Sequence, residues 1–435
     1  MPAHCDDIVT QHYGVYLDYL RKLAILPSVF TQTTDVLRAV TYCKNVFEEN
    51  LSGFDIRLDL HQNVTAIPRC LDREKDIVYL SAHVDTVDAD PAAWDAPFHP
   101  FELYEDEIEM VVRGISDCKA GVAFQLFISW LIAKGELEPG NLGFTITFSE
   151  EGGGLKTATH LAASLGNALP VSNRSTYLIV LENNMRVGVP PVLCIYDRET
   201  SNWVVKVKGS MGELKELVKR LEHWNPICVY PLQESLGIET SLLHQEGRHA
   251  CSMGREKNLL TKLIQEAEET TVLRAGEEKS FGVVPSDIYR GKSKIPLAHG
   301  LVLTNRSFDN YEDVVRQLRG VDYEEVKPFH LSQGIDVREQ LKQSPLKSIL
   351  AECESPELAL EYGANIGCSD ASLIYNSLDE SIKAKVLPVV MGPGTRSQPG
   401  KTPPRFTHGK NETFDKKSGA LAVQYLLKVI KRIMN

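Results

Sequence analysis

A chain of 435 residues, 43% hydrophobic and 24% charged, is too long for one average domain and has the composition of a folded globular protein, which excludes a fibrous or disordered chain. Its formal net charge of -11 speaks against nucleic acid as a partner, because phosphate binding is driven by Lys and Arg. Nine cysteines, an odd number spread along the chain, fit reduced thiols acting as buried fillers in a cytoplasmic protein better than a disulfide framework.

The opening MPAHCDDIVTQHYG shows neither a basic nor an apolar leader pattern, so no secretory signal and a cytoplasmic location are expected. Helical periodicity runs through residues 8–26 and 33–51, the second stretch opened by Thr33, Thr34 and Asp35 as candidate caps. Short β-rich runs follow, each closed by polar or Gly residues: DIVYL, IEMVVRG, FTITFS and STYLIVL. Lys119 to Lys134 and Leu155 to Leu165 read as helices between them. The apolar stretch Val122 to Ala133 is too short to span a bilayer and is expected to be a buried helix, so no membrane partner is expected.

Strand and helix in alternation predict an α/β fold with a mainly parallel sheet flanked by helices, and in such sheets ligands gather beyond the carboxyl ends of the strands. From about Asn202 the pattern changes to strand-then-helix units of a small α+β domain, and the α/β alternation resumes after about Gly320, closing on a strand in KVLPVVMGPG and an amphipathic helix. The predicted organisation is a catalytic domain formed by residues 1–200 and 321–435, interrupted by a smaller domain at 201–320.

The acidic and imidazole residues fall at the predicted strand ends. His83 and Asp85 follow DIVYL, and because side chains alternate along a strand they share a face. Asp117 stands before a helix, where a carboxylate is commonly a cap. Glu150 and Glu151 follow FTITF as adjacent carboxylates, which repel unless a cation or proton resolves them. Glu182 follows STYLIV, and His408 lies in RFTHGKNE. One set of two histidines and several acids suits a two-zinc centre with metals about 3.5–4 Å apart.

These residues carry a family resemblance. HVDTV, AWDAPFHPF, RGISDCKAG, SEEGGG, GPG and HGKNE occur in the order found in the zinc-dependent exopeptidases and amidohydrolases that include aminoacylase, carboxypeptidase G, acetylornithine deacetylase and succinyl-diaminopimelate desuccinylase. The resemblance implies a zinc-exopeptidase-like catalytic domain with a ferredoxin-like smaller domain, and two Zn2+ per subunit that Co2+ can replace. It also implies that His83 and Glu182 hold different metals, that Asp117 bridges both, and that Glu151 and His408 complete the shells. Glu150 is implied as the general base and Asp85 as the group orienting His83, with the Asp117–Cys118 peptide cis.

Softer features complete the likeness. His249 and Asn258 resemble a motif whose histidine, in dimeric relatives, reaches the neighbouring subunit's site, so a homodimer is expected; here the motif stands later than usual, after VKVKGSMGEL. Arg306 resembles the residue that holds a substrate carboxylate, Gly392 to Gly394 stand where relatives bind substrate backbone, and the same loop adds Arg396 as a further substrate-binding candidate. The expected reaction is hydrolysis of the amide bond of a small N-acyl amino acid, with a dipeptidase or carboxypeptidase as the alternative. A catalytically inactive scaffold is the rival from another class, and the completeness of the ligand set argues against it.

Overall fold

The computed structural model describes residues 5–152, 154–168, 174–182, 185–186, 192–197, 200–207, 225–229, 300–305, 315–316, 318–320, 323–332, 334–354, 361–365, 369–396 and 409–435. The chain divides into two compact units, Met1–Asp197 with Ile335–Asn435, and Arg198–Gly334.

The larger unit is built on one sheet. Its strands in chain order are Phe54–Leu58 (β1), Val64–Pro68 (β2), Ile77–His83 (β3), Leu142–Thr147 (β4), Thr176–Val180 (β5), Val192–Asp197 (β6), Ile335–Asp336 (β7), Glu361–Asn365 (β8) and Val386–Val390 (β9). The order across the sheet is β1-β2-β4-β3-β5-β9-β6-β7, with β8 also pairing with β6. β4, β3, β5 and β9 are mutually parallel, and β1, β2 and β7 extend the sheet with antiparallel pairs. This is the expected α/β architecture. β1, β2, β6, β7 and β8 were not among the predicted strands.

Parity along β3 explains the layering. Val78, Leu80 and Ala82 point into a core shared with the helices Cys5–Ala24 (α1), Thr33–Asn50 (α2), Ala120–Ala133 (α3) and the closing helix Lys416–Met434. Ile77 and Tyr79 point the other way, onto Leu155–Ala168 (α4) and Asp370–Asn376 (α5). A sheet buried on both faces needs apolar side chains at successive positions, and every residue of β3 is buried. α3 is apolar almost all round, which matches its burial; with the turn before it, Ile115–Ala133 has the length and hydropathy of a membrane span, but most of it is enclosed by the fold.

Two expectations change at this level. Thr33, Thr34 and Asp35 do not cap α2: its N-cap is Gln32, which makes no side-chain cap bond, and Asp35 instead pairs with Arg38 at 3.0 Å. Nor does Asp117 cap α3, whose N-cap is Lys119.

The smaller unit contains a four-stranded sheet ordered Asn225–Val229, Gly300–Asn305, Thr200–Val207, Tyr323–Ser332, all antiparallel. The chain leaves this unit at Gly334 rather than near 320, because Tyr323–Ser332 pairs along Thr200–Val207. The stretch 240–269, read from sequence as strand and helix, lies outside the described residues.

Where β9 ends, Gly392 is needed for close approach: a Cβ there would stand 2.1 Å from the carbonyl oxygen of Glu182 and 2.2 Å from that of Leu181. Gly392→Ala is therefore expected to lower unfolding free energy by about 1–3 kcal/mol, the usual cost of overpacking. Urea unfolding checks it, and an unchanged midpoint would show that the strand ends separate freely.

Candidate active site

The parallel pairing sets the site. His83 of β3 is level with Thr147 of β4, and Val180 of β5 is level with both Ser81 of β3 and Val390 of β9. The residues that follow each strand therefore leave the same sheet edge: Val84–Asp85, Phe148–Glu151, Leu181–Glu182 and Met391–Gly394. Four strands so aligned present backbone ends and polar side chains in one crevice, the usual ligand position of such sheets.

His83 is almost wholly buried. Its Nδ1 lies 2.9 Å from the main-chain oxygen of Asp85, and its Nε2 lies 3.0 Å from Oδ1 of Asp117. A ring nitrogen facing a carbonyl carries the proton, which leaves Nε2 with its lone pair toward Asp117 as a metal ligand requires. The orienting contact expected of the Asp85 carboxylate is thus made mainly by its backbone, the nearer carboxylate oxygen being 3.6 Å from Nδ1. The carboxylate has another task. Its two oxygens accept the backbone N–H of Glu150 at 3.2 Å and of Glu151 at 3.0 Å, which fixes the turn carrying those acids.

Asp117 reaches the crevice from the loop before α3. The Asp117–Cys118 peptide is cis, as the sequence resemblance implied, and both residues have non-helical backbone angles. Beyond it, the buried Lys119 donates to the carbonyl of Leu26 at 2.8 Å, and burial lowers its pKa to about 8. Ligand atoms of His83, Asp117 and Glu151 lie within 4.8 Å of one another. One imidazole nitrogen and two carboxylates in a crowded acidic pocket fit a divalent cation.

Around this trio stand further acids. Glu150 is enclosed by heavy atoms that strip water from its carboxyl, and this, with Glu182, Glu151 and Asp370 nearby, drives its pKa well above the ordinary carboxylate value although His83 opposes the shift. Burial likewise raises Asp85, to about 6. Asp370 had no place in the sequence reading. It opens α5 behind the capping box of Ser369 and Ser372, accepts the hydroxyl of Thr147 at 2.6 Å, and donates its backbone N–H to Glu182 at 3.3 Å. Burial raises its pKa too. The Ser-Asp-Ala-Ser capping pattern was the only local signal for it, and that pattern predicts a helix start rather than a site.

Of the other predicted positions, Gly392 and Gly394 are buried at the same edge, and Arg396 belongs to a two-residue strand paired in parallel with Met185–Arg186. His408, His249, Asn258 and Arg306 lie outside the described residues.

The sequence matches the model of peptidase family M20/M25/M40 over residues 79–432. The chain belongs to this family. It is accordingly a metal-dependent hydrolase of amide bonds, and relatives of the family bind a dinuclear metal centre. No curated protein matches the sequence. Among solved structures, the chain is similar to the di-peptidase Dug1p of Saccharomyces cerevisiae (TM-score 0.65, 12% identity, covering 99% of this chain and 98% of that one). It is similar to human carnosine dipeptidase 1 (TM-score 0.63, 14% identity, 99% of both chains). It is also similar to an M20 family metallo-carboxypeptidase of Sulfolobus solfataricus (TM-score 0.64, 16% identity, 96% of this chain and 99% of that one). At such identities these likenesses report the fold.

Because both Asp85 oxygens accept an N–H, Asp85→Asn must turn an NH2 toward one of the two donors. Metal affinity, read by competition with a chelating dye, is expected to fall about 10–100-fold while circular dichroism stays native. Wild-type affinity in a folded variant would remove Asp85 from the support of the site.

Proposed function

We propose that the chain hydrolyses the amide bond of a small N-acyl amino acid at a two-zinc centre. The observation that carries the reading is the gathering of His83, Asp117 and Glu151 within 4.8 Å, with Glu150 immediately before Glu151 in the chain. On this reading Glu182 and His408 complete the ligand set. Two divalent cations bound there supply Lewis acidity and lower the pKa of a water. Glu150 takes a proton from the attacking water and delivers it to the amine nitrogen as the C–N bond breaks, giving a carboxylate and a free amine.

Support for an acyl amino acid comes from TNRS and HGKNE, which resemble desuccinylase and deacetylase sequences. Arg306 is assigned to the substrate carboxylate, and the Gly392 to Gly394 backbone, Arg396 and Asn258 to substrate binding. A guanidinium suits this task because it can donate two parallel hydrogen bonds to a carboxylate. We further assign the protein to the cytoplasm, as a homodimer in which His249 polarises the scissile carbonyl. A second reading, a dipeptide substrate, is favoured by the names of the two dipeptidases among the similar structures.

Release of amine from N-acetyl and N-succinyl amino acids against dipeptides, with zinc- or cobalt-loaded protein, separates the two substrates. Activity should vanish with a chelator and return with metal. Glu150→Gln is expected to lower kcat by about 10²–10⁴-fold with metal content unchanged, and near-wild-type kcat would unseat it as the base. For the carboxylate, wild type should prefer an acid substrate to its α-carboxamide, and Arg306→Ala should lose most of that preference. Equal preference in both proteins moves the anchor elsewhere.

A further inference from the structure

Glu412 belongs to no ligand set and no step above, yet its carboxylate is among the most buried in the larger unit, with 1% of its side chain exposed. Each of its oxygens takes two donors. Oε2 accepts from Arg113 Nη1 at 3.0 Å and from the backbone N–H of Gly114 at 2.9 Å. Oε1 accepts the backbone N–H groups of Ser116 and Asp117, both at 3.1 Å. An ionised carboxylate has about four acceptor positions, so this one is filled by the loop that delivers Asp117.

Glu412 is itself held from several directions. Its carbonyl accepts the N–H of Val112 at 3.2 Å, and the next residue, Thr413, pairs with Val111 in a short antiparallel ladder. On its other side, Asn411 and Asp95 exchange hydrogen bonds at 3.1 and 2.7 Å. The hydroxyl of Ser116 donates to the carbonyl of Thr413 at 2.8 Å and accepts the N–H of Thr395 at 3.0 Å.

The backbone nitrogen of Asp117 lies one bond from its Cα, so holding that nitrogen restricts where the side chain can reach. Glu412 grips the chain before Asp117, and Lys119, through Leu26, grips it after. Between those holds Asp117 faces His83 Nε2 at 3.0 Å. We propose that Glu412 is a positioning residue for metal binding, its carboxylate setting the Asp117 loop in ligating position before any metal arrives. The inference rests on Asp117 being a metal ligand. Glutamine cannot take over, since it offers one oxygen where two are used and would turn an NH2 toward donors. Aspartate is one methylene too short.

The test uses full-length protein freed of metal and titrated with Co2+ against a chelating indicator. Glu412→Gln, folded by circular dichroism, is expected to bind about 10–100-fold more weakly, as when a hydrogen-bond partner behind a ligand is lost, with an altered cobalt absorption spectrum. A merely structural role would lower the melting temperature but leave affinity and spectrum as in wild type, and that result overturns the proposal. Asp117→Ala is measured beside it. If Asp117→Ala keeps wild-type affinity, the ligand assignment itself falls; if only Glu412→Gln does, this inference alone falls. Should Glu412→Gln not fold, amide exchange in the metal-free wild type decides: Gly114, Ser116 and Asp117 must already be protected, and exchange at free-peptide rates in this loop overturns the proposal.

Discussion

Like charges brought together away from water repel strongly, and the larger unit gathers Asp85, Asp117, Glu150, Glu151, Glu182 and Asp370 around one imidazole at one end of its sheet. Much of the surrounding structure can be understood as a response to that repulsion. Asp85 is met by two backbone N–H groups, Asp370 by a threonine hydroxyl and Glu182 by the first N–H of a helix. Those donors position the acids without neutralising them. The remaining charge is what a divalent cation can satisfy; burial, helped by acidic neighbours at Glu150 and Asp85, is why Glu150, Asp85 and Asp370 all hold protons more tightly than ordinary carboxylates.

Register in the sheet makes the crowding possible. Because β4, β3, β5 and β9 run parallel and end level, chain segments from residues 83, 150, 182 and 392 leave at one edge although they are far apart in sequence. The close approach of Gly392 to the carbonyl oxygens of Leu181 and Glu182 shows how little slack remains there. α5 adds a helix start to the same edge, where its first N–H donates to the Glu182 carboxylate.

A second layer of buried polar contacts lies behind the Asp117 loop. The buried Arg113–Glu412 pair joins a loop from the first half of the chain to a segment near its end. A buried pair of this kind contributes little net stability but is costly to break, so it serves geometry better than energy. The pairing of Asn411 with Asp95 extends the same junction.

Much of this was legible in the sequence because it depends on local pattern. Strands β3, β4, β5 and β9, helices α1 to α4 and the closing helix follow from apolar period and from polar residues that end each run. The acids at those ends could be named because a strand terminus and a carboxylate are both visible in one window, and the motif order identified the family. What local pattern could not supply is partnership. The edge strand β1 and its neighbour β2 are only five residues long and carry a weak signal, while Tyr323–Ser332 joined the smaller unit through pairing with a strand more than a hundred residues earlier. Asp370 was not read at all, its one local signal being a capping pattern, and Glu412 was only the last letter of a motif. That His83 is oriented by a backbone carbonyl, that the Asp85 carboxylate binds the Glu150–Glu151 turn, and that Glu412 holds the Asp117 loop were decided by tertiary structure. Hydrogen bonds between segments distant in sequence exist only once the sheet has brought those segments together.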